Sequence, residues 1–315
     1  LPISFRRLLR LIPLFASMVV LAGCASESAS EADSQARSDA ATRPATDRAY
    51  LTQSVWDDGA AEVAFYRVER TRDQYGREQE QSFLAGTYLV KQRFDRAAMT
   101  KATDGSGVSA FKYALFYEFE SGSYQYKRNW VTNVRQRDVQ PLKQSFTSFD
   151  WCSNLYREMA FPADGPVQLL KRSDDYGNQE TAVETTGVAY PPHAVPLLVR
   201  ALDGSDGAQS FTILTPDGET VSATATPDGT ESVETPAGTR EATRITVTYA
   251  QPVPSPLGEE SDRRETYWRG TGAERLLLKV EAESGRYRMT LEEHLRTPYW
   301  RENLWARLQR VEQRP

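Results

Sequence analysis

The chain has 315 residues, with 38 Lys and Arg against 43 Asp and Glu and a formal charge of −5. That balance excludes a basic face of the kind that binds nucleic acid, and it argues against adsorption to anionic lipid through charge. Aromatic residues make up 10% of the chain, enough to supply a substantial core.

The first 24 residues fall into three regions. Arg6, Arg7 and Arg10 are basic, Leu11 to Val20 is apolar, and Leu21-Ala22-Gly23-Cys24 follows. A basic start, a short apolar run and a small-residue cleavage site make a secretory signal rather than a spanning helix, which needs ~20 apolar residues. The tetrad resembles the lipobox of bacterial lipoproteins. The resemblance implies cleavage before Cys24, lipidation of its thiol and anchoring in a membrane through acyl chains. Loss of residues 1–23 removes three Arg and no acid, leaving a charge of −8. Ala25 and Ser26 lack the Asp that retains Gram-negative lipoproteins in the inner membrane, so the outer membrane is the expected location.

Residues 25–48 are mostly small, polar or charged, without Leu, Ile, Val or an aromatic before Tyr50. Such a stretch cannot bury enough apolar surface to fold and reads as a disordered tether. The body, 49–315, is expected to be mainly β: a curved antiparallel sheet or open β-barrel with a short central helix and a C-terminal helix. Two halves would meet near 188–205.

Ala60 to Thr71 and Ser82 to Phe94 are the first strands. Phe111, Tyr113, Leu115, Tyr117 and Phe119 then alternate with Lys112, Ala114, Phe116, Glu118 and Glu120, the clearest period of two in the chain. Tyr124 to Arg137 returns after Ser121-Gly122-Ser123. Phe146 to Phe161 and Val167 to Lys171 are further strands. Asp174-Asp175-Tyr176-Gly177 is a turn, and solvation explains its two acids better than a cation does.

Tyr190-Pro191-Pro192 breaks the pattern, and His193 to Leu202 suits a short helix stopped by Asp203-Gly204. Three turns of one kind follow, at Thr215-Pro216-Asp217-Gly218, Thr226-Pro227-Asp228-Gly229 and Thr235-Pro236-Ala237-Gly238. Pro at the second and Gly at the fourth position suit a β-turn, so the spacing predicts a meander. Arg240 to Tyr249, Arg264 to Arg269, Arg275 to Glu283 and Arg286 to His294 complete the sheet, with Pro252, Pro254 and Pro256 in an exposed loop. Residues 299–312 form a closing helix whose Trp300, Leu304, Trp305 and Leu308 pack on the core.

Phe149-Asp150-Trp151-Cys152 resembles the front half of Bacteroidota-type lipoproteins, and the order of Val195 to Leu202, Glu231 to Thr248 with Glu234 to Thr239, Glu265-Thr266-Tyr267-Trp268 and Leu276 to Lys279 resembles a family of envelope β-proteins. These are similar in plan to the open barrels of LolA and LolB. That resemblance implies a curved sheet wrapped around helices, with an apolar cavity.

Chemistry is sparse. His193 and His294 sit in no metal or catalytic pattern and read as surface or capping residues. No nucleophile elbow, phosphate loop or dinucleotide fingerprint occurs, so neither a metal nor a cofactor is expected. With Cys24 lipidated, Cys152 stands alone, and Trp151 and Phe149 beside it suggest a buried apolar thiol. Two readings remain for Phe111, Tyr113, Leu115, Tyr117 and Phe119. The face is either a packed sheet core or the lining of a site for a lipid or other apolar ligand. The first makes the chain a structural or interaction protein of the envelope, partnered by another envelope protein. The second makes it a non-enzymatic binding lipoprotein. A hydrolase with an unrecognised site is the third possibility.

Overall fold

A computed structural model describes residues 43–74, 77–204, 207–257 and 261–313. The secretory signal, Cys24 and residues 25–42 lie outside the described residues.

Sixteen strands form one sheet. Its first part runs through β1 (Ala61–Gln74), β2 (Arg77–Asp95), the two-residue β3 (Thr100–Lys101) on the edge of β2, β4 (Val108–Ser121) and β5 (Tyr124–Arg135). It continues through β6 (Pro141–Phe149), β7 (Asn154–Ala160), β8 (Val167–Ser173) and β9 (Gln179–Val183). The second part comprises β10 (Ala189–Tyr190), β11 (Gln209–Leu214), β12 (Thr220–Val233), β13 (Arg240–Pro254), β14 (Ser261–Gly270), β15 (Leu277–Ala282) and β16 (Tyr287–Thr297). β16 pairs with β1 and joins the parts, and among the described residues only the β10–β11 pair is parallel. Among the described residues, three short helices accompany the sheet: α1 (Arg48–Leu51), α2 (Val195–Ala201) and α3 (Leu304–Glu312). The mainly β, open-barrel expectation, with its central and C-terminal helices, is what the structure shows.

The topology forces curvature. β9 and β10 are the two ends of the strand order, yet only residues 184–188 separate them. Six peptide steps span at most ~22 Å, so the sheet must curl until its edges face each other. Side chains close the seam. Met159, Phe161, Val167 and Leu169 from one edge cluster with Ala189 and Leu214 from the other. A Cβ on Gly218 would lie 3.2 Å from Val183 Cγ2 and 3.3 Å from Leu169 Cδ1, which sets the β11–β12 turn directly against β8 and β9.

α2 fills the interior. Six of its seven residues are buried, polar Arg200 among them. A helix apolar nearly all round belongs inside. Its last carbonyls still need donors, and two arginines supply them. Arg269 donates to the carbonyls of Val199 and Leu202 at 3.1 and 2.9 Å, and Arg275 to those of Arg200 and Leu202 at 3.3 and 3.2 Å.

Local expectations differ from the structure at several points. Of the three Pro-Gly turns, Thr215–Gly218 and Thr235–Gly238 are turns, closed by Gly N–H to Thr carbonyl bonds of 3.0 and 2.8 Å. Thr226–Gly229 is instead a bulge inside β12, with the ladder slipping between Pro227 and Thr230. Gly229 has φ of 74°, a bulge conformation that glycine adopts at no steric cost. Phe146 to Phe161 is two strands, β6 and β7, because the Asp150 carboxylate accepts from the N–H groups of Cys152 and Ser153 and turns the chain. Cys152 and Trp151 therefore stand exposed at a hairpin tip, and the buried-thiol reading of Cys152 is overturned. β13 continues through Pro252 and Pro254, around a register shift between Thr248 and Val253, and Val253 is buried. Irregular pairing is where a sheet tolerates proline.

The last residues read as tether, 43–48, are structured. Thr46 bridges to Leu202, Asp47 N–H donates to the Ala201 carbonyl at 2.8 Å, and the Asp47 carboxylate caps α1 and pairs with Arg275. Docking on the end of α2 gives these polar residues partners that composition alone does not reveal.

Candidate functional site

All five alternating residues of β4 point into the barrel and join the core that surrounds α2. Tyr117 is fully buried and donates to the Pro256 carbonyl at 2.8 Å, while its ring stacks on Phe83 at 5.1 Å. Phe111 meets Trp56 edge-on, Tyr113 stacks on His193, and Phe119 stacks on Tyr126. Leu115 lies in the same cluster.

His193 is correspondingly a core residue, not a surface one. It is 1% exposed, its Nδ1 lies 2.7 Å from the Thr132 hydroxyl, and burial pushes its pKa down to about 3. His294 is also largely sheltered, with Nε2 3.4 Å from Glu274. Burial lowers its pKa. Glu62, Glu274 and His294 bring three potential metal ligands within 4.8 Å of one another. Both carboxylates, however, are already held by guanidinium groups. Arg200 forks onto Glu62, and Arg296 reaches Glu274 at 3.2 Å. A divalent cation there would have to displace two arginines.

A second buried carboxylate sits among three phenols. Tyr249 and Tyr267 donate to Glu265 at 2.6 and 2.5 Å, and Tyr287 donates to its other oxygen. Burial, then the charge of Glu265, holds all three hydroxyls far above their usual pKa. The phenols therefore stay protonated donors, which suits a structural tie rather than acid–base chemistry.

The concave apolar site is on the other face of the same sheet. Leu304, Leu308 and Val311 of α3 bury against Phe65, Leu84 and Phe116. Asn303 caps the helix, its side-chain oxygen accepting from Ala306 N–H at 3.0 Å. Between α3 and strands β2, β4, β5 and β6 lies a cleft of about 590 Å³. Tyr88, Phe116, Phe149, Tyr299, Leu304 and Trp305 give it aromatic and aliphatic walls. The Tyr88 and Tyr299 rings stack at 4.3 Å, and Phe116 meets Trp305 edge-on at 5.3 Å. Lys127, Arg128, Asn129, Thr147, Glu302 and Asn303 supply the polar part of its lining. Size and lining both match small-molecule pockets.

Gly86 shapes this cleft. A Cβ there would lie 2.3 Å from Phe116 Cζ, so the ring rests on bare backbone of β2. A glycine inside a strand pattern signals such an approach, and it was the available sequence clue. The C-terminal stripe divides: Leu304 and Leu308 are buried, while Trp300 is exposed and Trp305 borders the cleft. α3 begins after Trp300, which lies on a separate 3-10 turn.

No family model and no curated protein matches the sequence. Two solved structures are similar. One is a beta-barrel-like protein of a domain of unknown function from Brucella abortus, 7% identical over 75% of this chain and 98% of that one, with a TM-score of 0.44. The other is a protein with a YmcC-like fold from Bacteroides fragilis, 11% identical over 74% of this chain and 95% of that one, with a TM-score of 0.24. Neither description names a ligand or a reaction. Among the described residues, no helix is long and apolar enough to cross a membrane.

Proposed function

We propose that this chain is a non-catalytic lipoprotein of the cell envelope, anchored through Cys24, and that it binds a lipid acyl chain in the cleft beneath α3. The observation that carries the reading is the aromatic-walled volume of about 590 Å³ on the outer face of the sheet. The residues Phe111 to Phe119 that alternate into the interior pack with α2 in the core, and β4 reaches the cleft through Phe116 on its outer face. The aromatic and aliphatic walls suit hydrocarbon, and polar groups such as Lys127, Arg128 and Asn129 suit the polar end of the same molecule.

The test is titration of the body from Arg43 onward with N-phenyl-1-naphthylamine, followed by displacement with palmitate. Saturable binding that weakens severalfold in Trp305→Ala, and is unchanged in Trp151→Ala, supports the reading. Absence of binding, or equal binding by all three proteins, refutes it.

A second reading has its own observation. Tyr124, Trp151 and Tyr176 stand exposed at three hairpin tips, and Asp174 ties two of these tips together by accepting from Asn154 N–H at 2.9 Å. Exposed aromatics gathered at one end of a sheet suit a protein contact. Under this reading the chain is an interaction protein of the envelope.

A further inference from the structure

The inner wall near the seam carries two cations in an arrangement that a folded sheet normally avoids. Arg157 on β7 and Lys171 on β8 are directly opposite each other in the ladder. Like charges at such positions are destabilising. Among the described residues, neither cation makes an ion pair. The same region pairs its other cations: Lys143 reaches Glu158 at 2.9 Å and Arg172 meets Glu180. Arg157 and Lys171 share a narrow cleft with Trp130 and Gln144 on one side and the Pro216–Asp217 turn across the seam. Arg157 Nε and Trp130 Nε1 are both buried N–H donors without a hydrogen-bond partner.

We propose that this cleft binds a phosphate-type oxyanion, held by Arg157, Lys171 and the indole N–H of Trp130. An anion would relieve the repulsion between the two cations and satisfy both buried donors at once. Arg offers a planar fork to such a group and Lys a point charge. The free volume of about 30 Å³ holds roughly two water molecules. That is room for two oxygens of one oxyanion group, and the rest of the group and of any larger molecule stays outside. Two carboxylates also line the cleft: Asp217 is exposed, and Glu158 is paired with Lys143, so they limit affinity without neutralising the buried donors. The site is separate from the α3 cleft and does not rest on the acyl-chain reading.

Inorganic phosphate is titrated calorimetrically into the full-length protein at constant ionic strength, alongside Arg157→Gln and Lys171→Gln. Saturable binding by the wild type, weakened at least tenfold in each variant, is expected. Without phosphate, both variants should melt at or above the wild-type temperature, because a repulsion has been removed. Dihexanoyl phosphatidic acid is the second titrant. Tighter binding than phosphate assigns the anion to a lipid headgroup, and equal binding assigns it to the free ion. No saturable binding of either titrant, equal binding by all three proteins, or a lower melting temperature of both variants without phosphate overturns the proposal.

Discussion

Arg200 of the central helix grips Glu62 of the first strand through two hydrogen bonds, of 2.8 and 2.6 Å, with both side chains almost wholly buried. Burial opposes the charge on Arg200, and Glu62 more than restores it, so the guanidinium loses its proton even less readily than usual. The same group donates to the Glu274 carbonyl at 2.7 Å. One buried pair thus fixes α2 against the sheet. Removing one partner leaves an uncompensated charge in the core, so Arg200→Ala should destabilise by about 3–5 kcal/mol. The double replacement Arg200→Met with Glu62→Leu should cost much less. Urea unfolding of the two variants checks this, and equal losses would contradict it.

The β4 face makes a second stability prediction. Tyr117 is fully buried beside Phe83 and Phe119. Tyr117→Ala should leave a void and cost about 3–5 kcal/mol, as large aromatic truncations do. Tyr117→Phe should cost about 1 kcal/mol, the net value of its bond to the Pro256 carbonyl. A loss below 1 kcal/mol in Tyr117→Ala would mean that a ligand, not the fold, fills this space.

His193 should make stability fall with acid. Its pKa is about 3 when folded and near 6.5 when unfolded. Below pH 6.5 the unfolded chain takes up a proton that the folded chain refuses until about pH 3. Stability from this residue is thus intact above pH 6.5 and is lost as pH falls toward 3, at ~1.4 kcal/mol per unit. Between pH 6.5 and 5 the loss is about 2 kcal/mol, and His193→Gln should flatten the profile by that amount. Parallel profiles for the two proteins would show that the imidazole protonates without opening the core.

Much of the architecture is legible because it is local. The alternation from Phe111 to Phe119, the breaker before His193 and the apolar stripe ending at Leu308 each mark an element within one short window. Ambiguity arises where one composition suits two geometries. Thr-Pro-Asp-Gly serves a turn at 215–218 and a bulge at 226–229. Trp151 and Cys152 look like core until the Asp150 turn places them at a tip. Pro252 and Pro254 suggest a loop, but buried Val253 between them keeps the chain on the sheet. What is not local is not legible. The β16–β1 pairing, the Arg200–Glu62 fork and the cleft formed by Tyr88 and Trp305 join residues far apart in the chain.

The anchor can be tested apart from the fold. Cys24→Ser should abolish incorporation of radioactive palmitate while leaving the melting temperature of the body unchanged. Undiminished label on the variant would remove Cys24 as the lipidated residue.

The acyl-chain cleft depends on the contact between Gly86 and Phe116, which makes Gly86→Ala its most selective probe. The new methyl must displace the Phe116 ring, at a cost typical of overpacking, about 1–3 kcal/mol. Displaced, the ring moves into the space between β4 and α3. The decisive measurement is lipid extraction and mass spectrometry of the folded body purified from cells, wild type beside Gly86→Ala. Near-stoichiometric acyl lipid in the wild type and a loss of most of it in Gly86→Ala is the predicted result. Lipid absent from the wild type, or retained equally by both proteins, would contradict a lipid site beneath α3.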